Sequence, residues 1–154
     1  MSGVLGTNVV TQVALIVKDI EVTKQKYAEF FGVEPPPTIH AGDYAITGTT
    51  YKGTPAPKAG SKLAFFNAGG NLMLELIEPN GEPSTWQDFL DEKGEGIHHI
   101  AFGVQKTDEK IAAMEKFGAP LVQRGKYGDA SGEYTYFDAT KDLKCYIELL
   151  ESFK

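Results

Sequence analysis

The sequence predicts an α+β fold in which two tandem βαβββ modules form a curved, mostly antiparallel sheet around a cleft. Short strand-like segments surround two helix-like segments, and the second half of the chain repeats the first. Aligning the halves places His99 on Gln12, 87 residues apart (99 − 12), and Glu148 on Glu75, 73 residues apart (148 − 75). Repetition of this kind indicates an internal duplication, with an insertion at 34–60 in the first copy.

A chain of 154 residues is long enough to bury one hydrophobic core, so we expect a single domain over 1–154. Module one spans about 9–79, a linker helix about 84–93 and module two about 97–151.

In module one, a β-branched strand at 9–18 precedes a helix at 20–31. Asp19 can accept hydrogen bonds at the start of this helix, and Gly32 permits the left-handed turn that ends it. The helix is expected to bury four of its larger side chains, Val22, Tyr27, Phe30 and Phe31. The later strands of the module are predicted at 43–50, 61–67 and 72–78.

Ser84 followed by Gln87 matches a capping box and predicts the linker helix. Module two repeats the order of module one, with a helix that Thr107 caps and Gly118 ends. Its strands are predicted at 97–104, 121–123, 133–138 and 144–150.

The composition excludes several classes of protein. Hydrophobic residues make up 42% and charged residues 23%, as in ordinary globular proteins, and the net charge of -6 argues against a nucleic-acid partner. No apolar run approaches the roughly 18 residues needed to cross a bilayer, and the N-terminus lacks a signal-peptide pattern. Cys145 is the only cysteine and permits no internal disulfide. We therefore expect a cytoplasmic protein without a membrane partner.

Four polar residues lie at duplicated positions inside otherwise apolar strands: Gln12, Glu75, His99 and Glu148. Desolvating a carboxylate costs several kcal/mol unless it finds a partner. If the sheet curves around a cleft, all four side chains can converge on its floor. One imidazole, two carboxylates and an amide oxygen suit a divalent metal ion, namely Zn, Ni, Co, Mn or Fe. The alternative is that the two glutamates lie on solvent-facing sides of their strands.

His98 and His99 are adjacent, and neighbours on a strand point to opposite faces. His98 is therefore expected in the core with Ile100 and Phe102, and only His99 in the cleft. Glu78 and Glu151 also match between the halves, but at strand ends, where we expect them to be solvated.

The paired modules resemble the vicinal oxygen chelate superfamily, which includes glyoxalase I, methylmalonyl-CoA epimerase, extradiol dioxygenases and fosfomycin- and bleomycin-resistance proteins. Two stretches are most similar to the epimerase branch, Leu74-Glu-Leu-Ile-Glu-Pro79 and Gly94-Glu-Gly-Ile-His-His-Ile-Ala-Phe102. The resemblance implies the same four metal ligands and a role for Glu148 as the catalytic base. Epimerases usually have histidine where this chain has Gln12, whereas some glyoxalase I enzymes have the set Gln, Glu, His, Glu.

A second departure concerns a glutamate that epimerases carry in a Pro-Glu-x-Gly-type stretch before the third strand. The matching stretch here is Pro57-Lys-Ala-Gly60, so Lys58 replaces that carboxylate. We therefore predict proton abstraction next to a metal-stabilised carbonyl, but not standard methylmalonyl-CoA epimerase activity. Lys58, His40 and Tyr44 are the candidates for a second acid or base.

The sequence thus predicts a metal-dependent isomerase or epimerase that acts on a small-molecule carbonyl or acyl-thioester substrate. The alternatives are a lyase of the glyoxalase I kind and a non-catalytic small-molecule binding or resistance protein. Four residues are candidates for binding the substrate: Arg124 in a Gly-rich loop, Tyr146 on the face of Glu148, and His40 and Tyr44 in the insertion. The resemblance also predicts a homodimer.

Overall fold

The computed structural model describes residues 3–153, whose strands form a single ten-stranded sheet curled into an open half-barrel. The predicted α+β fold of tandem modules is therefore confirmed. In chain order the elements are β1 (Gln12–Ile16), α1 (Ile20–Phe31), β2 (Ile39–His40), α2 (Tyr44–Thr47), β3 (Thr50–Tyr51), β4 (Thr54–Pro55), β5 (Ser61–Asn67), β6 (Met73–Pro79), α3 (Thr85–Lys93), β7 (Gly96–Gly103), α4 (Thr107–Phe117), β8 (Leu121–Lys126), β9 (Gly132–Asp138), α5 (Thr140–Leu143) and β10 (Tyr146–Ser152).

The duplication is visible in the strand order, β2-β5-β6-β1-β7-β10-β9-β8-β3-β4. In each module the first strand pairs in parallel with the last, β1 with β6 and β7 with β10. The two modules meet where β1 and β7 pair antiparallel at the centre of the sheet. The four strands that carry the duplicated polar residues are therefore neighbours.

The insertion of module one differs from its prediction. The predicted strand at 43–50 is wrong, because Asp43 accepts a hydrogen bond from the backbone N–H of Ala45 and starts the short helix α2, which ends at left-handed Gly48. The hairpin β3–β4 then pairs with β8, so that Thr50 lies opposite Arg124. The insertion thus extends the edge of module two, a pairing between distant segments that no local pattern indicates.

Helix α1 begins and ends as predicted, with Asp19 as its N-cap and Gly32 left-handed at its end. Its buried face was assigned only partly correctly, because Tyr27 packs against the core as expected and Val22 and Phe30 do not. Ile20, Lys24 and Ala28 are buried, whereas Val22 is 60% and Phe30 81% exposed. Lys24 is buried because its ammonium group reaches Thr38 at 2.8 Å and Glu21 at 2.9 Å.

Glu78 and Glu151 are not simply solvated, as the sequence suggested, because each binds the N-terminus of its module's helix. The N–H of Ile20 donates to Glu78 Oε1 at 2.9 Å, and the N–H of Thr107 donates to Glu151 Oε1 at 3.0 Å. The two contacts are equivalent in the duplication. Thr107 follows Ile20 by 87 residues (107 − 20) and Glu151 follows Glu78 by 73 residues (151 − 78), the same separations that relate the four polar residues. Thr107 is the first residue of α4 rather than its cap, and a carboxylate from β10 provides the cap that the sequence assigned to it.

Helices cover both faces of the sheet. On the convex face, α1 packs on Leu76 and Phe66, and α4 packs on Phe137 and Leu149. On the concave face, Trp86 and Phe89 of α3 cover Ala14, Ile16 and Ile77. The remainder of the concave face forms a cavity. Within residues 3–153, no helix combines the length and the apolar character needed to cross a membrane.

Candidate metal centre

Gln12, Glu75, His99 and Glu148 converge at the floor of the cleft. His99 Nε2 lies 2.7 Å from Gln12 Oε1, 3.1 Å from Glu148 Oε1 and 3.6 Å from Glu75 Oε1. All four side chains are buried, with exposed fractions between 0% and 8%. The structure therefore places the four duplicated residues in one cluster.

The register of the central strands produces this convergence. Ala14 lies opposite both Glu75 on β6 and His99 on β7. Ala101 lies opposite both Gln12 on β1 and Glu148 on β10. Residues paired across neighbouring strands point to the same face. Each alanine therefore sits between two donor side chains, and its small size leaves the space that the donors occupy.

The amide of Gln12 can present either of its polar atoms to the cluster. With its nitrogen inward it would donate to His99 Nε2 at 2.7 Å, to Glu148 Oε1 at 2.9 Å and to Glu75 Oε1 at 3.0 Å. With its oxygen inward, the amide places a further acceptor beside the carboxylate oxygens of Glu75 and Glu148. The first orientation suits the protein side chains alone, and the second suits a bound cation.

The electrostatics of the cluster reflect two carboxylates in a small buried volume. Burial raises the pKa of Glu75 well above its ordinary value, and the nearby charge of Glu148 raises it further. Burial, followed by the charges of Glu148 and Glu75, also raises the pKa of Tyr136 well above its ordinary value. A positive charge within the cluster would relieve the repulsion between the carboxylates.

The donor set fits a divalent metal ion. Two ligands that each lie about 2.1 Å from one ion are separated by roughly 3.0–3.4 Å, and the separations of His99 Nε2 from the other donors are close to this range. Glu75, His99 and Glu148 together form a buried group whose ligand atoms lie within 4.8 Å of one another. Oxygen and imidazole donors suit Zn, Ni, Co, Mn or Fe.

His98 does not point away from the cleft, as simple strand alternation predicted. The pairing of β1 with β7 shifts between Ala14, which faces His99, and Leu15, which faces Ile97, so His98 is the extra residue of a β-bulge. Nδ1 of His98 lies 2.8 Å from Nδ1 of His99, and both side chains are fully buried. Burial, followed by the charge of His99, lowers the pKa of His98 well below its ordinary value. The bulge therefore places both histidines on the same side of the strand.

A cavity of about 260 Å³ opens above the cluster. Leu63, Phe65, Trp86 and Leu150 form much of its apolar wall, and Gln12, Glu75 and Glu148 line it near the cluster. Ser61, which is 6% exposed, also lines the cavity, and its hydroxyl has no hydrogen-bond partner among residues 3–153. The arrangement is that of a small-molecule site, mostly apolar with a few convergent polar groups.

The other candidates from the sequence do not line this cavity. Lys58 lines a neighbouring pocket with Tyr51 and Pro55. Arg124 lies in β8 rather than in a loop, with Nε 2.7 Å from Glu133 and a guanidinium nitrogen 3.1 Å from Asp108.

Tyr146 stacks on His98 with ring centroids 4.7 Å apart, and it does not line the cavity either. His40 lies in β2 and Tyr44 in α2, outside the residues that surround the cavity. None of these five sequence candidates lines the cavity, although Tyr146 lies opposite His99 in the β7–β10 pair.

Several cavity residues were missed at the level of sequence, notably Trp86, Tyr134, Tyr136 and Lys126. Trp86 Nε1–H donates to the hydroxyl of Tyr136 at 3.2 Å. Tyr136 lies opposite Glu148 in the β9–β10 pair, and Phe65 lies opposite Glu75 in the β5–β6 pair. Every second residue of β5 and β9 faces the same side as the glutamate on the neighbouring strand. Counting alternate residues from the partners of Glu75 and Glu148 could therefore have identified Phe65, Tyr134 and Tyr136 as cavity residues.

Comparison with solved structures supports the fold. The chain is similar to methylmalonyl-CoA epimerase from Mycobacterium tuberculosis, with a TM-score of 0.66 and 20% identity, covering 100% of this chain and 93% of that one. It is also similar to Streptomyces coelicolor methylmalonyl-CoA epimerase in complex with 2-nitronate-propionyl-CoA, with a TM-score of 0.64 and 22% identity, covering 94% of this chain and 97% of that one. At these identities the likeness concerns the fold alone.

Sequence comparison identifies the family. The chain is 36% identical over 90 residues to protein YqjC of Bacillus subtilis (strain 168). The alignment covers 58% of this chain and 64% of YqjC, so the chain spans less than two thirds of the length of that relative. Residues 11–137 match the model of the glyoxalase/bleomycin resistance protein/dioxygenase superfamily. With the duplicated modules and the half-barrel sheet, this match shows that the chain belongs to that superfamily, the vicinal oxygen chelate proteins.

Proposed function

We propose that the chain is a metal-dependent isomerase or epimerase that removes a proton from the carbon next to a carbonyl group. The proposal rests on the convergence of Gln12, Glu75, His99 and Glu148 at the floor of a largely apolar cavity. These four residues would hold a divalent metal ion. When bound, such an ion acts as a Lewis acid that polarises a carbonyl oxygen and makes the neighbouring proton easier to remove.

Glu148 is the proposed base, a role for which its carboxylate would have to loosen from the ion while Gln12, Glu75 and His99 continue to hold it. Its carboxylate lines the cavity, is 5% exposed and lies opposite Tyr136 in the sheet. A positioned base contributes roughly 10²–10⁴-fold to such a reaction.

Isomerisation also needs a group that returns a proton to the substrate, and we assign this role to Tyr136, which lies opposite Glu148 in the β9–β10 pair. Its oxygen accepts the Trp86 N–H, and no acceptor among the described residues takes its own O–H. Its raised pKa keeps the phenol protonated, so it can donate a proton but not abstract one at neutral pH. Lys58, His40 and Tyr44 are less suitable because they do not line the cavity.

The substrate class we propose is a small carbonyl compound or acyl thioester. The largely apolar walls suit an acyl group, and a structurally similar epimerase binds 2-nitronate-propionyl-CoA. A second candidate is a lyase of the glyoxalase I kind, which the donor set Gln, Glu, His and Glu favours.

Deuterium incorporation tests the proposal directly. Metal-loaded protein would be incubated in D₂O with a panel of branched acyl-CoA thioesters, and deuterium next to the carbonyl would be counted by mass spectrometry. We expect incorporation with the native chain and with Glu151→Gln, whose carboxylate caps a helix, and its loss with Glu148→Gln. Turnover of the hemithioacetal formed from methylglyoxal and glutathione would be measured with the same metal-loaded protein to test for lyase activity.

The outcomes separate the candidates. Turnover of the hemithioacetal without exchange in any thioester would replace the isomerase by the lyase. Tight metal binding with neither reaction would contradict both and favour a non-catalytic binding protein. The homodimer and the cytoplasmic location stay predictions, although residues 3–153 already bring all four donors together within one chain.

A further inference from the structure

The imidazole ring of His98, which the proposed reaction does not use, is paired with the ring of the proposed metal ligand His99. The β-bulge turns the His98 ring toward His99, so that their Nδ1 atoms lie 2.8 Å apart. This is a hydrogen-bond distance, and a bond between two Nδ1 atoms contains one proton. Either His98 donates and His99 accepts, or the reverse.

The environment of His99 Nε2 distinguishes the two arrangements. This nitrogen faces Gln12, Glu75 and Glu148, the other members of the donor cluster. A histidine binds a metal through an unprotonated nitrogen, so a metal-binding His99 must carry its proton on Nδ1. The Nδ1–H then donates to Nδ1 of His98, and His98 carries its own proton on Nε2.

We propose that His98 is a positioning residue, which accepts the Nδ1–H of His99 and thereby fixes the tautomer and the ring orientation in which His99 binds a divalent metal ion. This inference rests on the metal site of the proposed function. It assigns a specific task to a residue that the sequence placed in the apolar core.

Aromatic rings hold His98 in this position. Tyr146 stacks on it with centroids 4.7 Å apart and an interplanar angle of 24°. Phe89 and Tyr136 each meet it edge to face, with centroids 5.5 Å away. The ring has little freedom to turn away. Its Nε2 makes no hydrogen bond of ordinary geometry among residues 3–153, and the backbone of Thr85 is a further polar neighbour of the ring. His98 is thus oriented mainly by packing, and its hydrogen-bond contact is with Nδ1 of His99.

The acceptor is unusual for a metal-binding histidine. Such histidines generally donate their second N–H to a carboxylate, a backbone carbonyl or a water molecule. A neutral imidazole orients His99 equally well without adding a negative charge. That difference matters here, because the cluster already contains two buried carboxylates.

Two substitutions of His98 separate positioning from packing. His98→Phe keeps a ring among Tyr146, Phe89 and Tyr136 but removes the acceptor. His98→Asn removes the ring but keeps an acceptor, since its side-chain oxygen can take the place of Nδ1. For each variant, the affinity for Zn²⁺ would be measured by competition with a chromophoric chelator, and stability by thermal unfolding of the metal-free protein.

We expect the order of the two variants in thermal stability to be the reverse of their order in Zn²⁺ affinity. His98→Phe should be the more stable variant, yet it should lose about 10- to 100-fold in Zn²⁺ affinity, the effect typical of removing the partner of a metal-binding histidine. His98→Asn should be less stable but bind Zn²⁺ within a few-fold of the native chain. In the ¹⁵N spectrum of the histidine-labelled, Zn²⁺-loaded native protein, His99 should show a protonated Nδ1.

Each other result has a definite meaning. Native Zn²⁺ affinity in His98→Phe, losses that follow stability in both variants, or an unprotonated Nδ1 on His99 would overturn the positioning role while the metal site stands. If the native chain binds no Zn²⁺, the metal part of the proposed function fails, and the positioning role fails with it.

Discussion

Ala14 and Ala101 occupy equivalent positions of the two modules, 87 residues apart (101 − 14), and each lies between two of the four donor residues. Both are fully buried, so any enlargement of either side chain takes space from the donors. The site therefore depends on two residues that carry no polar group.

The first prediction concerns this space. Ala101→Val should weaken divalent metal binding, because the added methyl groups displace Gln12 or Glu148, and should cost about 1–3 kcal/mol of unfolding free energy through overpacking. Ala64→Val is the control, since Ala64 is also fully buried but packs under α1. It should lower stability and leave metal affinity unchanged; equal loss of metal in both variants would contradict the prediction.

The second prediction concerns the donors themselves. His99→Ala and Glu148→Ala should each lose bound divalent metal, because removing one of four ligands weakens a site by orders of magnitude. Metal content after dialysis would be measured by mass spectrometry. Glu78→Gln changes a carboxylate that binds the N-terminus of α1 and should keep its metal. Full metal content in His99→Ala would eliminate the proposed site.

The third prediction concerns pH. Hydrogen bonds from the side chain and backbone of Thr107 lower the pKa of Glu151 below 4.5, so its stabilising effect is present above that pH and is lost as the pH falls through the lowered pKa. Glu151→Gln should therefore cost about 1 kcal/mol at neutral pH, the usual value of a helix cap, and progressively less at lower pH.

The control for this pH dependence is Glu115→Gln, which changes an exposed carboxylate near the other end of α4. Chemical unfolding of both variants between neutral pH and pH 3 would measure the effect. A constant difference between Glu151→Gln and the native chain over that range would show that the ionised carboxylate is not what stabilises the helix.

The fourth prediction concerns the rim of the cavity, where the insertion meets the loop between β8 and β9. A Cβ on Gly42 would lie 2.5 Å from the Cα of Gly128, whereas a Cβ on Gly128 would lie 3.4 Å from the nearest atom of Gly42. Gly42→Ala should therefore separate the two segments and cost about 1–3 kcal/mol. Gly128→Ala should leave thermal stability nearly unchanged, and equal effects of the two substitutions would contradict this contact.

The duplication explains why so much could be predicted from the sequence. Its two offsets place Gln12 with His99 and Glu75 with Glu148 before any contact is known, and pairing of first and last strands makes them neighbours. The α+β fold follows from the same repeat. What these predictions have in common is that they depend on positions within strands.

The errors have a different origin, namely contacts between segments that are distant in sequence. The bulge at His98 arises from the pairing of β7 with β1, and strand alternation cannot reveal it. Likewise, the β3–β4 hairpin pairs with module two, and Lys24 is buried because it reaches Thr38. Phe30 was assigned to the core by its apolar character, but tertiary packing leaves it 81% exposed.

Each donor glutamate shares its strand with a capping glutamate three residues later, Glu75 with Glu78 and Glu148 with Glu151. Because three is odd, the two carboxylates of a strand face opposite sides of the sheet. Misalignment of either strand by one residue would turn the donor toward the helix layer and withdraw the cap from its helix. The Glu-x-x-Glu pattern thus penalises an incorrect strand alignment twice and favours the one alignment that forms the metal site during folding.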